Sequence, residues 1–162
     1  MDTDRIATEI YRTLSNLELP SPDNKWNEPV TKALCDLGAK LGFQSEGDAH
    51  TVNWRQGSQD PSGPVPLIAK CQWFKTADRL RSTFAQHLVR ERATMKVLVY
   101  DAKRAVKFGT MGLSCLVKES GRPRETYLLL GYEHGNASMG QFHRGRIVTD
   151  ADGNVQVSGR TP

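Results

Sequence analysis

The stretch Pro66-Leu67-Ile68-Ala69-Lys70-Cys71-Gln72-Trp73 constrains this chain most. It is short, apolar and β-prone, a proline-rich segment precedes it and a helix start follows it, so it reads as a central strand. Strand period two puts Leu67, Ala69, Cys71 and Trp73 on one face and Ile68, Lys70 and Gln72 on the other. An ammonium and an amide at alternate positions of an apolar strand belong either to a cleft or to an open sheet face with solvated ends. Cys71 and the three tryptophans, Trp26, Trp54 and Trp73, read as core residues.

Before this strand the spacing predicts two helices. Residues 4–17 carry Ile6, Ile10, Leu14 and Leu17 at helical intervals, and Pro20 and Pro22 end that segment. Residues 27–41 carry the stripe Val30, Ala33, Leu34, Leu37 and Leu41. Asn27 caps this second helix, Glu28 favours its positive end, Pro29 is tolerated in its first turn, and Gly42 stops it. Residues 43–45 and 50–56 read as two strands joined at Glu46-Gly47-Asp48, and 57–64 as a loop. After the central strand come a helix over 76–93, a buried strand over 95–100, a glycine-weakened helix over 105–118, a basic turn at 121–124 and a strand over 126–132. A hairpin follows, from 146–149 through Asp152-Gly153 to 155–157. The fold class is α/β: a mixed central sheet flanked by helices on both faces.

At 162 residues the chain has room for one domain spanning 1–162, and no linker divides it. Lys and Arg outnumber Asp and Glu by 22 to 18, a surplus that permits a polyanionic partner without proving one. No apolar run approaches about 18 residues, so no membrane partner is expected. The acidic start Met1-Asp2-Thr3-Asp4, with no apolar segment behind it, argues for a cytoplasmic protein. Cys35, Cys71 and Cys115 fit reduced thiols better than a disulfide framework or a zinc site. His134 and His143 fall on loops without metal-ligand spacing, so no metal site is expected.

Three elements carry a resemblance. Trp26-Asn27-Glu28 opens a helix, Val52-Asn53-Trp54 lies on the second strand, and Pro66 to Trp73 forms the third, followed by a helix and the strand Lys96-Val97-Leu98-Val99-Tyr100. The segment 24–101 resembles the αβββαβ core of the PD-(D/E)xK nucleases, the restriction-endonuclease-like fold of a bacterial branch. The resemblance implies a helix glutamate at Glu28, a metal-binding aspartate at the place of Asn53, and an acidic-x-(Lys, Glu or Gln) pair at the places of Lys70 and Gln72. Glu28 and Gln72 satisfy that pattern, while Asn53 and Lys70 replace both principal metal ligands.

Phosphodiester hydrolysis in such a site needs Mg²⁺ held by anionic oxygens. Asn53 offers a neutral carbonyl and Lys70 only donors. An ammonium about 4 Å from a divalent ion is repelled by roughly 8 kcal/mol at an effective dielectric near 20. A phosphate oxygen is attracted instead. The resemblance therefore implies a catalytically inactive nuclease-fold protein that binds DNA or RNA, or a partner protein, without a cofactor. Two alternatives stand beside it. One is an active Mg²⁺-dependent endonuclease in which Glu46 or Asp48 joins Glu28. The other is a protein-interaction module, such as a homodimer through the tail hairpin. Arg79, Arg81, Arg90, Arg92, Lys103 and Arg104 are the candidate nucleic-acid contacts, in company with Lys107, Arg122, Arg124, Arg144 and Arg146, although a solvated helix face accounts for the first four as simply.

Overall fold

A computed structural model describes residues 2–17, 27–48, 51–57, 67–74, 88–101, 109–133 and 141–159. Helix α1 spans Thr3–Ser15 and α2 spans Asn27–Lys40; strands β1 (Gln44–Gly47), β2 (Thr51–Arg55), β3 (Leu67–Phe74) and β4 (Met95–Asp101) follow. Helix α3 (Gly109–Ser120) leads to β5 (Thr126–Glu133), β6 (Gln141–Thr149) and β7 (Val155–Gly159). The seven strands form one mixed sheet in strictly sequential order. β3, β4 and β5 are parallel, and every other neighbouring pair is antiparallel. The helix expected over 76–93 is described only from 88 onward, where the chain turns into β4. Residues 105–108 of the next expected helix, and residues 58–64 of the expected loop, lie outside the described residues.

The order dictates the layers. The parallel step from β4 to β5 runs through α3, which defines one face. α3 lies on that face and packs on β6 and β7. Leu88 and Val89, from the end of the first connection, join Leu98, Tyr100, Val117, Tyr127, Leu129 and Ile147 in the core beneath it. α1 and α2 cover the other face. Ile6, Ile10, Leu14, Val30, Leu34 and Leu37 there meet Val52, Trp54, Ala69, Cys71, Val97, Val99, Leu128 and Leu130. β4 and β5 are therefore buried on both sides and read as continuous apolar runs. Trp54 and Cys71 are core, as expected.

Local chemistry fixes the helix ends. Asp2 caps α1 by accepting the Arg5 N–H at 3.0 Å. Gly42 takes φ +88°, donates to the Ala39 carbonyl at 3.0 Å, and lets Phe43 donate to the Gly38 carbonyl at 2.9 Å. That double bond closes α2, and Phe43 then stacks on Trp54 at 5.8 Å. Trp54 in turn donates its indole N–H to the Leu34 carbonyl at 3.0 Å, pinning α2 to β2. The indole lies so close to Gly38 that an added Cβ would sit 2.6 Å from Trp54 Cδ1.

Gly38→Ala is expected to destabilise the protein by about 1–3 kcal/mol in urea unfolding, the usual cost of overpacking. In a Trp54→Phe background the same substitution should cost measurably less, because the indole edge is gone. Equal costs in both backgrounds would disprove this packing account.

Candidate nucleic-acid interface

Strand pairing draws one row of residues across the whole sheet. Glu46 stands opposite Asn53, Asn53 opposite Lys70, Lys70 beside Lys96, Lys96 beside Tyr127, and Tyr127 opposite Ile147. Gln72 occupies the next row, between Thr51 and Leu98. The register thus brings Asn53, Lys70 and Gln72 to one face, the face of α3. Glu28 is exposed in the first turn of α2, whose apolar stripe packs with Val52 and Trp54 on the opposite face. The Oδ1 atom of Asn53 is buried without a hydrogen-bond partner.

The centre of this row holds a charge that periodicity did not single out. Lys96 is fully buried. Its ammonium donates to Glu125 Oε2 at 2.7 Å, to the Tyr127 hydroxyl at 3.2 Å and to the Val89 carbonyl at 3.1 Å. Tyr127 donates its own hydroxyl proton to the same Glu125 oxygen. All three ammonium protons are used. Burial lowers the Lys96 pKa, with Glu125 opposing that shift. Burial, then Glu125, push Tyr127 well above the ordinary phenol range. A lysine inside the all-buried run Met95 to Tyr100 was the available signal, since a buried charge must find a partner. The partner itself lies 29 positions away.

Lys96 also anchors two loops that carry arginines. Its bonds to Val89 and Glu125 reach the loop before β4 and the loop before β5. Arg92, Arg122 and Arg124, with Ile68, Thr94 and Glu125, line a cavity of about 400 Å³ at the N-terminal ends of β3, β4 and β5. A neighbouring cavity of about 330 Å³ is lined by Arg90 and Arg122 beside Glu119 and Ser120. Arg122 Nη2 donates to the Arg90 carbonyl at 2.9 Å, so the two loops touch directly. Arg124 has φ +55°, a left-handed conformation uncommon for a non-glycine residue. It is held there by its N–H bond to the Asp150 carbonyl at 3.0 Å. Glu125 is committed to Lys96, and Arg90, Arg92, Arg122 and Arg124 have no carboxylate partner among the described residues.

Of the expected nucleic-acid contacts, Arg90 and Arg92 are exposed in this cluster. Arg79, Arg81, Lys103 and Arg104 lie outside the described residues. Two placements are corrected. Glu46 and Gly47, expected in a turn, lie in β1, which stays paired with β2 as far as Gly47 opposite Val52. His143, assigned to a loop, is on β6, because that strand starts five residues earlier than its apolar pattern indicated, at Gln141. His143 faces Glu133 Oε2 at 2.6 Å across the β5–β6 pair. Among the described residues no group of three or more His, Cys, Asp or Glu is arranged to hold a metal ion. No helix among them is long and apolar enough to cross a membrane. A scan against protein-family models finds no match to this chain, and a search of curated proteins finds none either.

Replacing Glu125 by Leu leaves the Lys96 ammonium buried and uncompensated, and should cost about 3–5 kcal/mol in urea unfolding. Lys96→Met combined with Glu125→Leu is expected to recover most of that loss. A double variant no more stable than Glu125→Leu alone would show that the ion pair is not the source of the cost.

Proposed function

We propose that this chain is a catalytically silent relative of the PD-(D/E)xK nucleases that binds nucleic acid through its backbone phosphates. The carrying observation is the arginine cluster: Arg92, Arg122 and Arg124 surround one cavity, with Arg90 next to it, and none of the four is paired with a carboxylate among the described residues. Guanidinium groups bind phosphate oxygens bidentately and hold their charge at any physiological pH. Their attachment to loops fixed by Lys96 reduces the ordering cost of binding.

The relationship to the nucleases is supported by the order of α2, β1, β2, β3 and β4, with an antiparallel β1-β2-β3 meander followed by a parallel β4. It is also supported by the positions of Asn53, Lys70 and Gln72 on one face. The absence of hydrolysis follows from the charge of that row. Lys70 and Lys96 stand side by side, and the site has lost the aspartate that Asn53 replaces. A second reading keeps the enzyme, and one observation favours it: Glu46 stands directly opposite Asn53 and supplies a carboxylate to the edge of the row.

Binding of duplex and single-stranded oligonucleotides should weaken steeply with salt. Replacing Arg92, Arg122 and Arg124 together by Ala should reduce the slope of log K against log salt by about 0.9 for each duplex phosphate that no longer meets a guanidinium. No binding at low salt, or an unchanged slope in the triple variant, would reject this interface. Incubation with Mg²⁺ or Mn²⁺ should give no cleavage; cutting abolished by Glu46→Ala would establish the second reading.

A further inference from the structure

The opposite face of the sheet carries a second, separate cationic feature. Along β6, period two sends Phe142, Arg144 and Arg146 toward α1. Phe142 is buried in the core. The two arginines lie farther along, beneath the first turns of the helix. Arg144 is held over the ring of Tyr11 at 4.9 Å. Arg146 pairs through Nη1 with the carboxylate of Asp4. Its Nε is buried and has no hydrogen-bond partner. Between α1, β5, β6 and β7 lies a cavity of about 310 Å³, lined by Asp4, Thr8, Arg144, Arg146 and Ser158 over a floor at Leu128. The Thr8 hydroxyl is already committed to the Asp4 carbonyl at 2.9 Å, which leaves the Ser158 hydroxyl as the neutral donor.

We propose that this pocket binds a phosphate group, and that the Asp4 carboxylate occupies the place of one of its oxygens in the free protein. Two guanidinium groups face a single carboxylate, so the pocket keeps a net positive charge. One carboxylate satisfies Nη1 of Arg146 and leaves its Nε–H unmet, whereas a tetrahedral dianion presents oxygens in several directions and can engage both arginines. The Tyr11 ring fixes the Arg144 guanidinium in advance, which lowers the entropic cost of binding. The cavity is at the small end of ligand sites, a size suited to a single compact anion. Asp4 is displaceable, because its side chain is 75% exposed and an exposed ion pair contributes little. Once displaced, it remains in the first turn of α1, where a carboxylate is favoured.

The test is titration of the full chain with inorganic phosphate and, in parallel, with O-phosphoserine, following the Arg146 Nε–H resonance by NMR. Saturable shifts of that resonance are expected. Asp4→Ala should tighten binding by about fivefold, the factor that removing a competing exposed ion pair represents. Asp2 still caps α1 in this variant, so the helix is retained. Arg144→Gln should weaken binding at least as much as Asp4→Ala strengthens it, and Arg146→Gln should abolish it. Tighter binding of O-phosphoserine than of inorganic phosphate assigns the site to a monoester, and the reverse assigns it to the free ion. An affinity unchanged in Asp4→Ala, or binding that survives both arginine variants, overturns the proposal. These substitutions leave Arg92, Arg122 and Arg124 intact, so the outcome is independent of nucleic-acid binding on the other face.

Discussion

The ammonium of Lys96 holds the basic end of this protein together. Removing such a group from water costs several kcal/mol, and only a close carboxylate with a full set of hydrogen bonds offsets that cost. Glu125, Tyr127 and the Val89 carbonyl supply the set. The geometry that results is specific. Val89 belongs to the chain entering β4, and Glu125 to the chain entering β5. Satisfying one buried charge therefore sets the separation of two loops, and both loops carry arginines. The Arg122 bond to the Arg90 carbonyl and the Arg124 bond to the Asp150 carbonyl complete that arrangement from outside. A hydrophobic residue at position 96 would pack, but it would remove the bonds that tie Val89 and Glu125 to one point.

The electrostatics of the central row separate two kinds of ligand. Lys70 and Lys96 lie on adjacent strands in register, and Glu125 neutralises one of them. Arg122 adds to the positive field, which contributes to lowering the Lys96 pKa. A divalent cation would meet this field with Glu125 already committed to Lys96 and Glu46 at the margin. A phosphodiester backbone would meet it favourably. On the proposed function, the field that repels a metal ion is the field that attracts a phosphate.

Much of the architecture was legible because local rules and tertiary demands agree. The α2 stripe, its Gly42 terminus and the shared core face of Ala69 and Cys71 on β3 all survive in the fold, since each depends on near neighbours in sequence. Three features were not legible, each for a definite reason. Lys96 was visible as a charge in a buried run, but its partner is set by parallel pairing of β4 with β5, which no local pattern encodes. The first half of β6 alternates apolar and polar residues poorly, because Arg144 and Arg146 share the α1 face with Phe142, Arg144 exposed over the Tyr11 ring and Arg146 paired with Asp4. Glu28 was placed by spacing alone, whereas the side of the sheet on which α2 packs is decided by Val52 and Trp54. Sequence spacing specifies which residues share an element, whereas the face that an element covers is a property of its partners.

The sheet also explains how one small chain accommodates cationic groups on both sides without mutual interference. Tyr127 and Leu128 are consecutive on β5, yet alternation sends the first into the Lys96 unit and the second to the floor of the Asp4–Arg146 pocket. Between the two runs a layer of fully buried aliphatic side chains, Val97, Leu98, Val99, Leu129 and Leu130 among them. Lys96 on one face and Arg146 on the other are thus each paired locally, with Glu125 and with Asp4, rather than across the sheet. The two carboxylates differ in consequence. Glu125 is buried and its carboxylate accepts two bonds, so its loss would dismantle loops; Asp4 is exposed and holds one bond, so it can yield to a stronger anion without disturbing the fold. Burial decides which counter-charge is permanent and which is exchangeable.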